Sequence, residues 1–414
     1  MGQVTNIRLD PQTDQAPIRA QTLSPKEGTP LYVHLPYCVA KCTYCDFFSV
    51  AAEGEDLDGT LAGILREALH RAPKKPRTVF LGGGTPSLYS TSELTTLLDG
   101  LDRVTGFRNS ATEVTLECNP ESLDEEKARA LIDLGVNRLS IGVQSLRPEI
   151  LKLFGRVHDA ETAIAAYHSA RRAGVPQVSL DVIYAAPGQD LGTWMSDLET
   201  LLALAPDHIS AYHLAYEPGT LMEKWEREGG VQRQGEETEL AFFTNTRARL
   251  AEAGMPGYEL SNFAPKDHQC THNKHYWANG PYVGLGPSAV SYIDGTRFGN
   301  PRSIGAWRAA VDGGHLAANW EETLSPLESL GESWWLGLRT SHGVDPVQAR
   351  TNAAGAGVDL PAGPDPCVAT AGELVAGGWL ERCGKGGERT RIPEQHLAVA
   401  DELSRRFLTL TQPR

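Results

Sequence analysis

The sequence predicts an α/β fold built as an open, partial barrel of six β/α units, followed by a small helical C-terminal domain. Two observations support this prediction. Short apolar runs rich in β-branched residues alternate with longer amphipathic stretches, which is typical of parallel strands joined by helices. The pattern occurs six times, fewer than the eight units of a closed (β/α)8 barrel, and it favours an open barrel with a site at the carboxyl ends of its strands.

The elements follow in chain order. The six predicted strands lie at 31–35 (LYVHL), 78–82 (TVFLG), 113–118 (EVTLEC), 138–143 (RLSIGV), 178–184 (VSLDVIY) and 208–214 (HISAYHL). The helices predicted between and after them cover 56–72, 91–103, 124–134, 161–173, 190–204 and 236–253.

Changes of pattern divide the chain into four parts. We predict a flexible N-terminal extension over 1–30, the partial barrel over 31–255, a connecting region over 256–320 and a small C-terminal domain over 321–414. The last part contains helical stretches, a flexible loop and a GWLER run that favours a wing strand. A winged-helix-like arrangement is therefore expected. Its helices are predicted at 326–339, 366–377 and 394–409, and its loop at 353–366.

Composition and charge narrow the classes of function. The chain has 414 residues, of which 41% are hydrophobic and 22% charged, as in ordinary soluble proteins. No apolar run approaches the 18 residues of a membrane span. The net charge of −14 disfavours bulk nucleic-acid binding, because an acidic chain gains nothing from counterion release. The first 30 residues lack the apolar core of a signal peptide, and a cytoplasmic location is expected.

Three of the seven cysteines, Cys38, Cys42 and Cys45, are crowded into CVAKCTYC directly after the first strand. Thiolates suit iron and zinc. A [4Fe–4S] cubane has four irons, and three cysteines leave one of them open to another ligand. Structural zinc usually has four ligands in paired knuckles, and here only His34 on the preceding strand could complete the set. The cluster is therefore favoured over zinc, and the scattered cysteines are expected to be free thiols.

Other unusual residues fall at the same predicted edge of the sheet. The segment GGGTPS follows the second strand, Glu117 ends the third, Gln144 follows the fourth and Asp181 lies in the fifth. Glycines let the backbone approach a ligand closely and leave its polar groups free. Without the other motifs, the GGGTPS segment would indicate only an ordinary turn. Surface salt bridges would then account for Glu117 and Arg156, and a buried capping role for Asp181.

Together these residues resemble the radical S-adenosylmethionine (SAM) superfamily. Within it, residues 31–300 resemble the group that contains oxygen-independent coproporphyrinogen III dehydrogenase. The matching segments are LYVHLPYCVAKCTYCDFFS, FLGGGTPS, ECNPESL, NRLSIGVQSL, GRVH and LDVIYAAPGQ. The resemblance implies that the cysteine triplet holds the cluster. It further implies that SAM binds the open iron through its amino and carboxylate groups, where an electron from the cluster can break a C–S bond.

The resemblance also implies roles for individual residues around SAM. Gly83, Gly84 and Thr85 would line its methionine part with Glu117 in contact. Its ribose and carboxylate would be held by a second group, namely Gln144, Arg156 and Asp181. Tyr32, Tyr44 and Phe47 complete the implied cofactor-binding set, with simple packing as the alternative for Tyr44. A glycine is expected at position 185 or 186, where this chain has alanines.

Two features separate subfamilies of this group. The dehydrogenase motif continues to a further cysteine two residues past the third, and that position is Phe47 here. The segment 272–277 reads HNKHYW, an H-N-x-x-Y-W motif. In both features the chain resembles HemW-type haem chaperones. These proteins share the fold and the SAM cluster but bind haem and pass it to acceptor haemoproteins. Imidazole is a common axial ligand of haem iron, which makes His272 the haem candidate and His275 the second one. Core packing and capping are the alternative.

The sequence leaves two main hypotheses of function. The first is a chaperone that binds haem and a SAM-ligated [4Fe–4S] cluster and delivers haem to acceptor haemoproteins, with no catalytic residue assigned. The second is a radical enzyme that oxidatively decarboxylates coproporphyrinogen III. A third, minor hypothesis is a radical SAM enzyme that acts on an unrelated substrate. The expected partners are haem and its acceptors, without nucleic acid; a dimer and peripheral membrane contact are left open.

Overall fold

The computed structural model describes residues 25–315, 317–354 and 365–410. Most of the predicted N-terminal extension at 1–30 and most of the predicted loop at 353–366 therefore lie outside the described residues. The strands are β1 (Leu31–Leu35), β2 (Tyr37–Cys38), β3 (Val50–Ala51), β4 (Thr78–Gly83), β5 (Glu113–Cys118), β6 (Arg138–Gln144), β7 (Gln177–Tyr184), β8 (His208–His213), β9 (Asn262–Phe263), β10 (Val283–Leu285), β11 (Val290–Ile293), β12 (Thr296–Gly299), β13 (Trp320–Thr323), β14 (Glu381–Cys383) and β15 (Arg389–Arg391). The helices are α1 (Leu57–Arg71), α2 (Thr91–Thr105), α3 (Glu125–Asp133), α4 (Pro148–Leu153), α5 (Ala160–Ala173), α6 (Leu191–Ala203), α7 (Leu221–Arg227), α8 (Glu236–Glu252), α9 (Thr271–Trp277), α10 (Ile304–Asp312), α11 (Pro326–Gly337), α12 (Pro346–Ala354), α13 (Pro366–Ala376) and α14 (Ala400–Thr409).

The main sheet confirms the predicted partial barrel. Among the described residues its strand order is β10-β1-β4-β5-β6-β7-β8-β9. Strands β1 and β4 to β8 are parallel and follow chain order, as six successive β/α units require. At one edge β10 adds in parallel to β1, and at the other β9 pairs antiparallel with β8. These two edge strands are not paired with each other, and the barrel is open.

The helices between the strands begin at side-chain caps. The carboxylates of Asp56, Asp124, Asp159 and Asp190 accept hydrogen bonds from the third backbone N–H of α1, α3, α5 and α6. Such caps satisfy donors that a helix leaves unpaired at its start. The predicted helices of the barrel are confirmed by α1, α2, α3, α5, α6 and α8. Five further helices were not predicted, namely α4, α7, α9, α10 and α12.

Alternation along each strand separates an apolar outer face from a polar inner one. On β5, Val114, Leu116 and Cys118 belong to the main hydrophobic core. Glu113 and Glu117 alternate with these residues and point the other way, into the lumen of the barrel, because successive side chains of a strand face opposite sides. Serine, histidine and acidic residues on β6 to β8 follow the same rule, and the lumen is consequently lined by polar groups.

The connecting region completes the barrel at both edges. It supplies β9 and β10, and between them α9 lies across the end of the barrel where the strands begin. Its His272 contacts Thr78, the first residue of β4. Backbone N–H groups at the start of α9 donate to Glu113, the first residue of β5. We call α9 the plug helix, because it closes the end of the barrel opposite the strand carboxyl ends.

The C-terminal part has its own hydrophobic core, in which the rings of Trp334 on α11 and Phe407 on α14 stack 5.0 Å apart. The predicted GWLER run leads into β14, which pairs with β15 as a hairpin. This part contacts the barrel through Arg247 of α8, which forms an ion pair with Glu394. No helix in the described residues is both long and apolar enough to span a bilayer. The winged-helix-like arrangement stays a prediction.

Candidate functional site

The three clustered cysteines lie on one closed loop at the carboxyl end of β1. Cys38 is the last residue of β2, and Cys42 and Cys45 follow in the loop. The short parallel pair of β2 and β3 brings Cys38 beside Ala51 and closes the loop at its base. Within it, the backbone N–H of Cys45 donates to the carbonyl of Cys42 at 3.3 Å. All three thiols are free and partly exposed, as ligands of a bound group must be.

The chemistry of these donors fits an iron–sulfur cluster. Burial raises the pKa of Cys38 and raises that of Cys45 to about 11, so these thiols carry protons at neutral pH until a cationic metal displaces them. The alternative of a zinc site with His34 is disfavoured, because Nε2 of His34 donates to the Phe48 carbonyl at 2.8 Å and Nδ1 accepts from the Tyr32 hydroxyl at 2.9 Å. The described residues hold no group of three His, Cys, Asp or Glu arranged for a single metal ion.

The glycine segment after β4 forms backbone hydrogen bonds to the residues that lead into the cysteine loop. The backbone N–H of Gly84 donates to the carbonyl of Leu35, and that of Thr85 to the carbonyl of Tyr37, both at 2.8 Å. A Cβ atom on Gly84 would lie 2.6 Å from the Tyr37 carbonyl oxygen, and no larger residue fits there. Gly83 has a φ of +108° and donates its N–H to Glu117 Oε2 at 3.1 Å. The segment therefore fixes the backbone that leads into Cys38 and also orients the Glu117 carboxylate.

Two carboxylates, Glu117 and Asp181, face the lumen beside this segment. Asp181 accepts hydrogen bonds from the hydroxyls of Ser140 at 2.7 Å and Ser179 at 3.0 Å. Burial, together with the nearby charge of Asp181, raises the pKa of Glu117 from 4.5 to about 7. Near neutral pH, Glu117 therefore holds a proton for part of the time. The pair can accept hydroxyl groups or an ammonium group of a ligand.

We expect the raised pKa of Glu117 to be visible in the stability of the ligand-free protein. Between pH 4.5 and 7 the folded state binds more protons at Glu117 than the unfolded state, and the free energy of unfolding falls as the pH rises through this window. Glu117→Gln cannot ionise and should show a shallower fall in urea unfolding between pH 5 and 7.5. Glu161→Gln, at an exposed position of α5, serves as the control and should match the wild type. Parallel profiles for wild type and Glu117→Gln would contradict the assignment.

Arg156 ties the cysteine loop to the ends of two strands. One guanidinium nitrogen donates to Asn119 Oδ1 at 2.8 Å and to the Gly142 carbonyl at 3.0 Å. The other donates to the sulfur of Cys42 at 3.4 Å. Gln144 has a φ of +61°, and its amide lies over Gly142. The positively charged side chain of Arg156 therefore lies against the sulfur of Cys42.

Three more residues of the implied cofactor set lie near the same loop, whereas Tyr32 lies on β1 with its hydroxyl bonded to His34. The Tyr44 ring packs edge-on against Phe154 at 4.9 Å. Thr85 is buried and accepts from the side-chain amide of Asn119 at 3.3 Å. Phe47 has 64% of its surface exposed, beside the loop rather than inside the barrel. Contacts of these residues with SAM stay predictions.

The plug helix places the predicted haem candidate in the interior. His272 is 1% exposed. Its Nδ1 pairs with the hydroxyl of Thr78 at 2.7 Å and its Nε2 with that of Tyr276 at 2.9 Å. Burial lowers its pKa to about 3. In this arrangement both ring nitrogens are engaged within the protein, and ligation of haem iron by His272 would require one of these bonds to break.

A buried polar chain, which the sequence did not predict, runs from the plug helix to Asp181. The Tyr258 hydroxyl accepts from the backbone N–H of Cys270 at 3.3 Å and bonds Nε2 of His208 at 2.8 Å. Nδ1 of His208 bonds the hydroxyl of Ser179 at 2.8 Å, which donates to Asp181. Strand alternation could have placed His208 and Ser179 in the lumen, whereas nothing local in the sequence pointed to Tyr258.

The chain is similar to several known proteins. The Radical SAM superfamily matches residues 32–201. The heme chaperone HemW of Synechocystis sp. is 37% identical over 333 residues, which cover 76% of this chain and 79% of that protein. HemW of Bacillus subtilis is 32% identical over 76% of this chain and 84% of its own length. The mitochondrial radical S-adenosyl methionine domain-containing protein 1 of Bos taurus is 36% identical, covering 76% and 74%.

Among solved structures, coproporphyrinogen III oxidase (HemN) from Escherichia coli superimposes with a TM-score of 0.77 over 93% of this chain and 91% of that one. At 20% identity this likeness establishes the fold alone. The identity to several HemW proteins, extending over more than two thirds of their length, establishes the family. The protein thus belongs to the HemW family of the radical SAM superfamily.

Proposed function

We propose that this protein binds haem together with a SAM-ligated [4Fe–4S] cluster and delivers the haem to acceptor haemoproteins. The observation that carries the proposal is the identity of 37% to a heme chaperone over 79% of that relative's length. Phe47, at the position of the further cysteine of the dehydrogenase motif, and the HNKHYW segment agree with it.

The cysteine loop is the proposed site of the cluster. Cys38, Cys42 and Cys45 would ligate three irons, and the cluster, when bound, supplies the electron that breaks a C–S bond of SAM. Arg156 would balance negative charge at the Cys42 sulfur, to which it already donates. Glu117 and Asp181 would accept hydrogen bonds from the ammonium and ribose hydroxyl groups of SAM, because both carboxylates face the lumen beside the loop.

One experiment tests the proposal against the radical decarboxylase hypothesis. The protein is reconstituted anaerobically with iron and sulfide, and haem binding is followed by the Soret absorbance. The haem-loaded protein is then mixed with a haem-free acceptor such as apo-cytochrome b562. The same preparation is incubated with coproporphyrinogen III, SAM and a reductant.

We expect saturable haem binding, transfer to the acceptor and no decarboxylated product. Failure to retain haem would overturn the proposal, and conversion of coproporphyrinogen III would establish the decarboxylase instead. A cytoplasmic location stays a prediction, and this experiment does not address a dimer or peripheral membrane contact.

A further inference from the structure

The carboxylate of Asp181 is held in the lumen by two serine hydroxyls. Ser140 on β6 donates to its Oδ2 at 2.7 Å, and Ser179 on β7 donates to its Oδ1 at 3.0 Å. Within the described residues, no backbone N–H group and no cationic side chain forms a hydrogen bond to this carboxylate. Each of its oxygens keeps a lone pair for a ligand, and the orientation of the carboxylate depends on the two serines.

The hydroxyl of Ser179 is itself fixed by a histidine. A serine hydroxyl can rotate unless its partners hold it, and Nδ1 of His208 lies 2.8 Å from the oxygen of Ser179. Because the only hydroxyl proton of Ser179 goes to Asp181, the serine oxygen accepts from His208, and the ring proton lies on Nδ1. Burial and the charge of Arg138 lower the pKa of His208 well below its usual range. The neutral ring therefore has its lone pair on Nε2.

The other end of the buried polar chain continues in the same direction. Nε2 of His208 accepts from the hydroxyl of Tyr258 at 2.8 Å, and the oxygen of Tyr258 accepts from the backbone N–H of Cys270 at 3.3 Å. His208, Tyr258 and Ser179 are at most 3% exposed. Every bond from Cys270 onwards thus donates towards Asp181. In such buried surroundings, successive hydrogen bonds polarise and strengthen one another.

We infer that His208 and Tyr258 are positioning residues for SAM, because they orient the carboxylate of Asp181 towards the ribose hydroxyls. They act through the hydroxyl of Ser179. This inference rests on the proposed function, in which Asp181 accepts from the ribose, and it deepens that function by naming the groups that orient Asp181. An acceptor that is already ordered binds more tightly, since the ligand does not have to offset the entropy lost on fixing the side chain.

The test compares two ligands of the full-length protein with its cluster reconstituted. Anaerobic titration calorimetry gives the dissociation constants of SAM and of L-methionine, which shares the amino and carboxylate groups of SAM but has no ribose. We expect Tyr258→Phe and His208→Leu to weaken SAM binding roughly five- to tenfold and to leave methionine binding unchanged. His208→Asn should bind SAM nearly as the wild type does, because its amide keeps a donor at the place of Nδ1.

Tyr184→Phe is the matched control. Tyr184 lies on the same strand as Asp181 and is 2% exposed, but its hydroxyl has no hydrogen-bond partner in the part of the chain that the structure describes. This variant should bind SAM like the wild type, whereas Asp181→Asn should lose at least as much affinity as Tyr258→Phe. Should Tyr258→Phe fail to fold by circular dichroism, Ser179→Ala removes a single oxygen atom and tests the same link.

The outcomes separate this inference from the proposed function. A loss in Asp181→Asn with none in Tyr258→Phe and His208→Leu would overturn the inference and leave the SAM site standing. Equal losses for SAM and methionine would also overturn it, since the chain would then only satisfy buried polar groups of the fold. No loss in Asp181→Asn, or no SAM binding by the wild type, would overturn the inference together with the proposed SAM contact. Haem binding by the same preparation, followed by the Soret absorbance, tests the chaperone proposal independently.

Discussion

Alanine at any one of Cys38, Cys42 and Cys45 is expected to abolish binding of the iron–sulfur cluster. Three thiolates are the minimum for the three ligated irons, and among the described residues neither His34 nor Cys118 is placed to replace one. Both ring nitrogens of the neighbouring His34 are engaged in hydrogen bonds, and Cys118 lies buried on the outer face of β5. Iron and sulfide content after anaerobic reconstitution, together with the charge-transfer absorbance of the cluster, measures the loss.

The matched control for this prediction is Cys383→Ala. Cys383 is a free and partly exposed thiol on β14 in the C-terminal part, and the variant should retain the iron content of the wild type. Far-ultraviolet circular dichroism of each variant separates a lost cluster from a lost fold. Wild-type iron content in all three loop variants would refute the placement of the cluster at this loop.

Features that depend on local sequence were predicted well. The strands of the barrel were recognised because each is a short apolar run between turn signals, and the cysteine loop because its three ligands lie within eight residues. Contacts between distant parts of the chain were not predicted. Glu113 meets the backbone of His272 across 159 positions, and no periodicity in either segment signals that contact. The same holds for Tyr258 and His208, which are 50 positions apart.

The haem candidate shows why a motif alone did not fix a ligand. On a helix, residues three apart lie on neighbouring faces, and small rotations decide which of them is buried. Here His272 is buried against Thr78 of β4, whereas His275 lies at the surface and bonds the Pro281 carbonyl. The motif singled out the segment, whereas the difference in burial between its two histidines depends on the position of the plug helix against β4 and β5.

The turn after β7 has the backbone conformation expected of glycine, although alanine occupies the position. A glycine was expected at position 185 or 186, and the chain has alanine at both. Ala185 nevertheless adopts a φ of +61°, the left-handed conformation that glycine favours. The turn therefore keeps the conformation expected for glycine. For alanine, which has a Cβ atom, this conformation costs on the order of 1 kcal/mol. The buried surroundings of Ala185 stabilise this conformation.

The largest expected loss of stability comes from Glu67→Ala. Glu67 on α1 is 3% exposed and forms an ion pair at 2.7 Å with Arg71, which is 7% exposed. It also accepts the backbone N–H of Gly286 at 2.7 Å, the side-chain amide of Asn300 at 2.8 Å and the indole N–H of Trp307 at 3.1 Å. Alanine would leave one buried charge and three buried donors without their acceptor, which typically costs about 3–5 kcal/mol. Urea unfolding of the purified protein measures this loss as a lower midpoint.

The adjacent Arg66 supplies the matched control, because it also joins α1 to α10. Its ion pair with Asp312 is 2.6 Å long, but both side chains are more than 40% exposed. Exposed pairs contribute about 0–1 kcal/mol, since water screens the charges and the side chains lose entropy. Arg66→Ala should therefore shift the midpoint only slightly. Equal shifts in the two variants would mean that Glu67 does not anchor the connecting region. A large shift confined to Glu67→Ala would show that burial, rather than the number of ion pairs, joins this region to the barrel.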